Sequence, residues 1–238
     1  MLLQILTYTH HLTTMLFGIF LSAFFLGVKQ NKKNVCILLG GGAVSGLFFL
    51  ICNTVFGSLF TEAVYPIFVH LPLFLLLVFY YRFRWLPSII SIMTAYLCCQ
   101  FSNWAGIFAL SLSGLEWVYY LVRIIVTVAV FAFLSRYLCQ TTALLFAKSD
   151  RELYILGAMP FVYYVFDYST TKFSMLLYSG NKVVVEFLAF AMCISYVIFL
   201  FVYFQEYELK NSAEQYGQLT NMQLNSLHSE IEQVRSSE

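Results

Sequence analysis

"WVYYLVRIIVTVAVFAFLSRYL", residues 117–138, is as long as the ~20 apolar residues that carry an α-helix through hydrocarbon, and ahead of its last turn it holds a single charge, Arg123. A soluble helix would show a polar face at a period of 3.6 residues, and this stretch shows none. The composition around it agrees. Of the 238 residues, 61% are hydrophobic and 11% charged, so the polar surface of an ordinary globular domain is missing. The chain reads as an all-α integral membrane protein in contact with the lipid bilayer.

The same ruler finds about seven transmembrane helices, at residues 5–28, 35–57, 64–81, 86–112, 117–138, 153–177 and 183–204. The third is short and carries Pro72; the sixth holds Pro160, Asp167 and Lys172. Basic residues fall in alternate connections, Lys29, Lys32 and Lys33, then Arg82 and Arg84, then Arg136, Lys148 and Arg151, while the opposite connections hold only Lys172 and Lys182. The positive-inside rule puts the more basic connections in the cytoplasm, hence the N-terminus outside and the C-terminus inside. Glu62 and Glu116 then face outward, while Tyr80, Tyr81 and Trp85 at one interface and Trp104 and Trp117 at the other form aromatic belts. "MLLQILTYTHH" has no basic leader and no small-residue cleavage pattern after it, so it reads as a retained helix.

Two domains are expected: a multi-pass sensor region over 1–204, and from 205 onward a polar, helix-prone segment, "QEYELKNSAEQYGQLTNMQLNSLHSEIEQVRSSE". In that segment Leu224, Leu227, Ile231 and Val234 recur at spacings of three and four, the seam of a coiled coil that joins two copies. The same register upstream meets Lys210, Ala213, Gly217 and Thr220, so the seam belongs to the last two heptads.

Polar groups inside hydrocarbon are costly and tend to mark sites. At ~1.5 Å per residue through a ~30 Å core, His70, Gln100 and Arg123 lie ~9 Å below the outer face and Asp167 ~8 Å, with Asn53, Asn103 and Glu186 within ~5 Å of it. His70, Gln100, Asn103, Arg123, Asp167 and Glu186 are therefore the candidate ligand-binding residues, sharing an outward-opening cup. Arg123 has two readings: a structural charge paired with Asp167 or Glu116, or a direct contact to ligand.

Several classes are excluded. The net charge of +1 and the lack of a basic stretch remove nucleic acid as a partner. The six cysteines lie in apolar runs without Cys-x-x-Cys spacing, and the adjacent His10 and His11 point two ways on a helix, so no metal is expected. "LLGGGAVSG", from Leu38 to Gly46, lacks the Lys-Ser/Thr of a phosphate loop; its glycines suit close helix contact instead. No catalytic residues and no cofactor are expected in this chain.

The stretches "VHLPLFLLLVFYYRFRW", "TAYLCCQFSNWAG", "FVYYVFDYSTTKFSMLLYSGNKVVVEFLAF" and "HSEIEQVRSSE" together resemble the N-terminal sensor half of bacterial membrane histidine kinases of the GHKL type, distant relatives of the receptor of the accessory gene regulator quorum-sensing system. The resemblance covers essentially the whole chain. It implies a bacterial cell membrane, a homodimer, and an extracellular ligand that is a peptide or small amphiphile. It also implies a response regulator reached through a phosphoacceptor and ATP-binding core that is absent from this chain; His228, in a Leu-His-Ser context without flanking Arg or Asp, is not the phosphoacceptor. A small multi-pass transporter or a membrane scaffold subunit is the alternative.

Overall fold

The computed structural model describes residues 2–57, 60–61, 64–172 and 182–237; the side chains at 151, 168–172, 182–188, 230, 232–234, 236 and 237 lie outside that description. Every regular element among the described residues is helical. In chain order these are α1 (Leu2–Phe25), α2 (Lys32–Phe56), α3 (Pro66–Tyr80), α4 (Trp85–Cys98), α5 (Gln100–Ser113), α6 (Glu116–Tyr137), α7 (Cys139–Phe146), α8 (Asp150–Lys172) and α9 (Lys182–Ser237). The chain divides into two compact units, Met1–Val197 and Ile198–Glu238.

Among the described residues four helices are long and apolar enough to cross a bilayer: α2, α4 and α5 taken together as Trp85–Ser113, α6, and Ala189–Ser229 within α9. On α2, Leu47, Phe48, Ile51 and Val55 are all exposed, and on α6 so are Ile125, Val128 and Phe133, as lipid-facing surfaces require. The other three expected spans coincide with helices that are shorter or more polar. α1 carries Thr7, Thr9, His10, His11, Thr13 and Thr14, and α8 opens on Asp150-Arg151-Glu152.

α3 is not a regular helix. Pro66–His70 and Leu76–Tyr80 are π-helical and flank an α-helical turn, Leu71–Leu75, with the Leu71 N–H reaching the carbonyl of Pro66. Pro72 supplies no N–H and its ring crowds the carbonyl four residues back, so the helix widens to keep its backbone bonded. The expected single span over 86–112 is interrupted at Cys99, whose N–H is shared between the carbonyls of Ala95 and Tyr96. The connection after α6 contains α7, whose Thr142, Leu145 and Phe146 are buried.

Within the first unit α1 packs against α6, α4 and α7, α5 against α6, and α4 against α8. Leu21, Phe25, Leu97, Leu138, Leu153, Leu156 and Tyr163 form the core. Small residues allow the closest approaches, as expected where lipid provides no drive for helices to associate. A Cβ on Gly157 of α8 would stand 2.6 Å from Ile90 of α4, and one on Gly42 of α2 would stand 3.1 Å from Ile19 of α1. Gly114, at φ 67°, ends α5 in the left-handed region and returns its N–H to the Leu110 carbonyl.

In the second unit every described side chain from Gln205 to Ser229 is exposed, including those of Leu224 and Leu227, and Ile231 is exposed as well. The Val234 side chain lies outside the described residues.

Candidate functional site

His70 ends the first π-helical segment of α3, and its Nδ1 is 2.8 Å from the hydroxyl of Tyr164 on α8. Its ring meets Tyr65 edge-on at 5.3 Å, Tyr96 of α4 at 5.8 Å and Tyr164 at 5.5 Å. Tyr164 and Asp167 sit three residues apart and so share one face of α8. Tyr96 engages both: its ring packs against Tyr164 at 5.0 Å, and its hydroxyl donates to Asp167 Oδ2 at 2.5 Å. Three helices thus meet in an aromatic nest with a histidine at one side and a carboxylate at the other.

The approach of α8 to α4 depends on Gly157, two turns below Tyr164, and on a repair near Pro160. That proline has no N–H to donate to the Leu156 carbonyl four residues back. Tyr196 of α9, fully buried, donates its hydroxyl to that carbonyl at 2.9 Å and lies 3.5 Å from Thr94 Oγ1 of α4. In hydrocarbon an orphan carbonyl has no water to turn to, so this side chain does what solvent does elsewhere.

Arg123 lies elsewhere, in a second cluster. Its Nη1 donates to the hydroxyl of Tyr119, one turn back on α6, whose ring centroid is 5.1 Å from the guanidinium carbon. The aliphatic shaft lies on Gly106 of α5, where a Cβ would come within 2.4 Å of Arg123 Cγ. His10 of α1, buried at 3% exposure, is within electrostatic range of Arg123 and stands 5.9 Å from the Tyr120 ring.

Among the described residues the candidates fall into separate hydrogen-bonded groups. His70 and Asp167 are joined through Tyr164 and Tyr96. Gln100, buried, accepts a hydrogen bond from Asn103 Nδ2 at 3.3 Å. Arg123 bonds neither Asp167 nor Glu116; its partner is Tyr119. Cys99 lies within electrostatic range of both Arg123 and Asp167. The side chain of Glu186 is outside the described residues, and Asn53 is exposed. Tyr96, Tyr119 and Tyr164 are hydrogen-bond partners of the candidates that hydropathy does not single out, because a tyrosine in an apolar run counts as apolar. The spacings Tyr119 to Arg123 and Tyr164 to Asp167 were the available signals.

A cavity of about 270 Å³ lined by Phe101, Ala129, Val130, Phe133, Leu134 and Val197 is apolar and touches none of the candidate residues. Among the described residues no group of three or more His, Cys, Asp or Glu side chains is placed to hold a metal. The two clusters offer hydrogen-bond exchange and charge recognition. No family model, curated protein or solved structure matches this chain.

Proposed function

We propose that this chain is the membrane-embedded receptor portion of a two-component sensor histidine kinase, crossing a bacterial cell membrane seven times with its N-terminus outside. It takes an extracellular ligand, a peptide or small amphiphile, at the polar clusters near the outer face. The signal leaves through a parallel helix dimer toward a kinase core and its response regulator.

The observation that carries this reading is the apolar stripe on an otherwise polar helix. Leu224, Leu227 and Ile231 are 53%, 54% and 63% exposed in the Ile198–Glu238 unit. Apolar residues at spacings of three and four on a solvated helix are stabilised by pairing with the same stripe of a second copy. The nest supports the same reading: His70, Tyr164, Tyr96 and Asp167 tie three helices through directional bonds, and a ligand that takes over one of those bonds changes how the helices meet.

The test is disulfide cross-linking in membranes through Leu224→Cys in a background without the native cysteines. A covalent dimer is expected. Leu227→Asp with Ile231→Asp places unpaired carboxylates in the seam and should lower its yield at least about tenfold. A yield unchanged by the aspartates removes the dimeric output helix and with it the receptor reading.

A further inference from the structure

Arg123 is a cation well inside a membrane-spanning helix, and among the described residues no carboxylate pairs with it. Seven residues separate it from Glu116 at the start of α6, ~10 Å along the axis. The ion pairs among the described residues are Arg84 with Asp150 and Lys148 with Glu152, both distant from it in the chain and at other helix ends. Tyr119 takes one hydrogen bond, at Nη1. Nε is buried with no hydrogen-bond partner, and Nη2 is also without one but is not sealed from the surface. The free side of the guanidinium is thus the Nε–Nη2 edge, which presents two parallel N–H donors to a pair of anionic oxygens.

The surroundings hold this edge in place. Gly106 receives the shaft so closely that no larger residue fits, and Tyr119 lies against the guanidinium. A part-buried cation with no anionic partner among the described residues is unfavourable in hydrocarbon, and an anion supplied from outside them offsets that cost. At the same end of the first unit α5 and α6 expose Phe108, Leu112 and Leu121, apolar surface on which an acyl chain can lie. We propose that Arg123, fixed by Tyr119 and Gly106, is the anchor of an intramembrane anion site that takes the headgroup oxyanion of an acidic amphiphile. The inference goes beyond the receptor reading and stands without it, since it needs only that α6 lies in a bilayer.

The experiment uses the full chain in a neutral detergent, with dioleoyl phosphatidylglycerol as the probe, dioleoyl phosphatidylcholine as the neutral comparison and sodium phosphate as the tail-less anion. Native mass spectrometry reads retained lipid, and thermal unfolding reads stabilisation. Phosphatidylglycerol should be retained about tenfold more than phosphatidylcholine and should raise the Tm, whereas phosphate alone should leave the Tm where it was. Arg123→Gln should abolish the preference while Arg84→Gln, an exposed cation, leaves it intact. Where Arg123→Gln does not accumulate, Arg123→Lys decides, because it keeps the charge but loses the planar fork, and retention should fall at least about threefold. No preference in the wild-type chain, or a preference that Arg123 variants leave unchanged, overturns the site. A Tm raised by phosphate as much as by the lipid overturns the amphiphile as its source. The seam cross-linking of Leu224→Cys is read separately, so failure of either idea leaves the other standing.

Discussion

The hydroxyl of Tyr96 on α4 donates to the carboxylate of Asp167 on α8 across 2.5 Å, in a part-buried site. A hydrogen bond to a charged group contributes more than a neutral one, and the acceptor left behind is expensive where water is scarce. Tyr96→Phe should therefore destabilise the fold by about 2 kcal/mol. Asp167→Asn should cost less on the Tyr96→Phe background than alone, with a coupling of about 1 kcal/mol. Dodecyl sulfate titration followed by circular dichroism measures all three variants. Costs that simply add would show that the contact is idle.

Gly157 tests the α4–α8 packing at a point remote from any charge. The Cβ of Gly157→Ala would meet Ile90 Cγ1 at 2.6 Å, on the branched part of the side chain, which has no free rotation to escape. Overpacking of this kind costs about 1–3 kcal/mol. In an Ile90→Ala background the obstruction is gone, and the same glycine change should cost at least about 1 kcal/mol less there. Equal costs in both backgrounds would show that the helices do not meet at this pair.

Runs of apolar residues placed the spans well where length alone decides. The expected 35–57 and 117–138 correspond to Lys32–Phe56 and Glu116–Tyr137. The π-helical segments around Pro72 and the break at Cys99 were not legible, because hydropathy is blind to which backbone donor a proline removes or a bend redirects. α7 was hidden for another reason: "CQTTALLF" is too short and mixed to span, and it becomes helical by packing its Thr142, Leu145 and Phe146 on the core. Of the residues selected by depth, His70, Asp167 and Arg123 are part-buried and Gln100 is buried. The structural reading of Arg123, a pair with Asp167 or Glu116, is not what its hydrogen bond to Tyr119 shows, since depth says how far in a residue lies and nothing about which way round the helix it points. Tyr119 for Arg123 was readable at a spacing of four; Tyr96 for Asp167 required the register between two helices.

The connections that lead into α4 and α8 bear on topology. Arg84 Nη1 reaches Asp150 Oδ1 at 2.7 Å and its Nη2 donates to the Lys148 carbonyl at 2.5 Å, so these two connections share an end of the first unit. In intact cells, single cysteines replacing Lys32 and Lys148 should resist a membrane-impermeant maleimide while one at Glu116 reacts. The reverse pattern would invert the proposed orientation. Because the Arg84 and Asp150 side chains are 49% and 58% exposed, Arg84→Ala should cost less than about 1 kcal/mol, and high salt should shrink even that.

Tyr196 and Pro160 give the sharpest test, because a backbone defect and its repair come from different helices. Pro160 deprives the Leu156 carbonyl of its helical donor, and the Tyr196 hydroxyl supplies one at 2.9 Å from a ring that is 1% exposed. Tyr196→Phe keeps the ring but leaves that carbonyl unsatisfied in a dry interior, which should cost about 1–3 kcal/mol. Pro160→Ala returns an N–H to position 160, so the helix can satisfy Leu156 by itself. On that background Tyr196→Phe should be nearly neutral, although the same change is costly in the wild-type chain. Unfolding of the four proteins by dodecyl sulfate gives the cycle directly. If Tyr196→Phe is equally damaging with alanine at 160, the hydroxyl matters through Thr94 and not through the carbonyl that the proline leaves open.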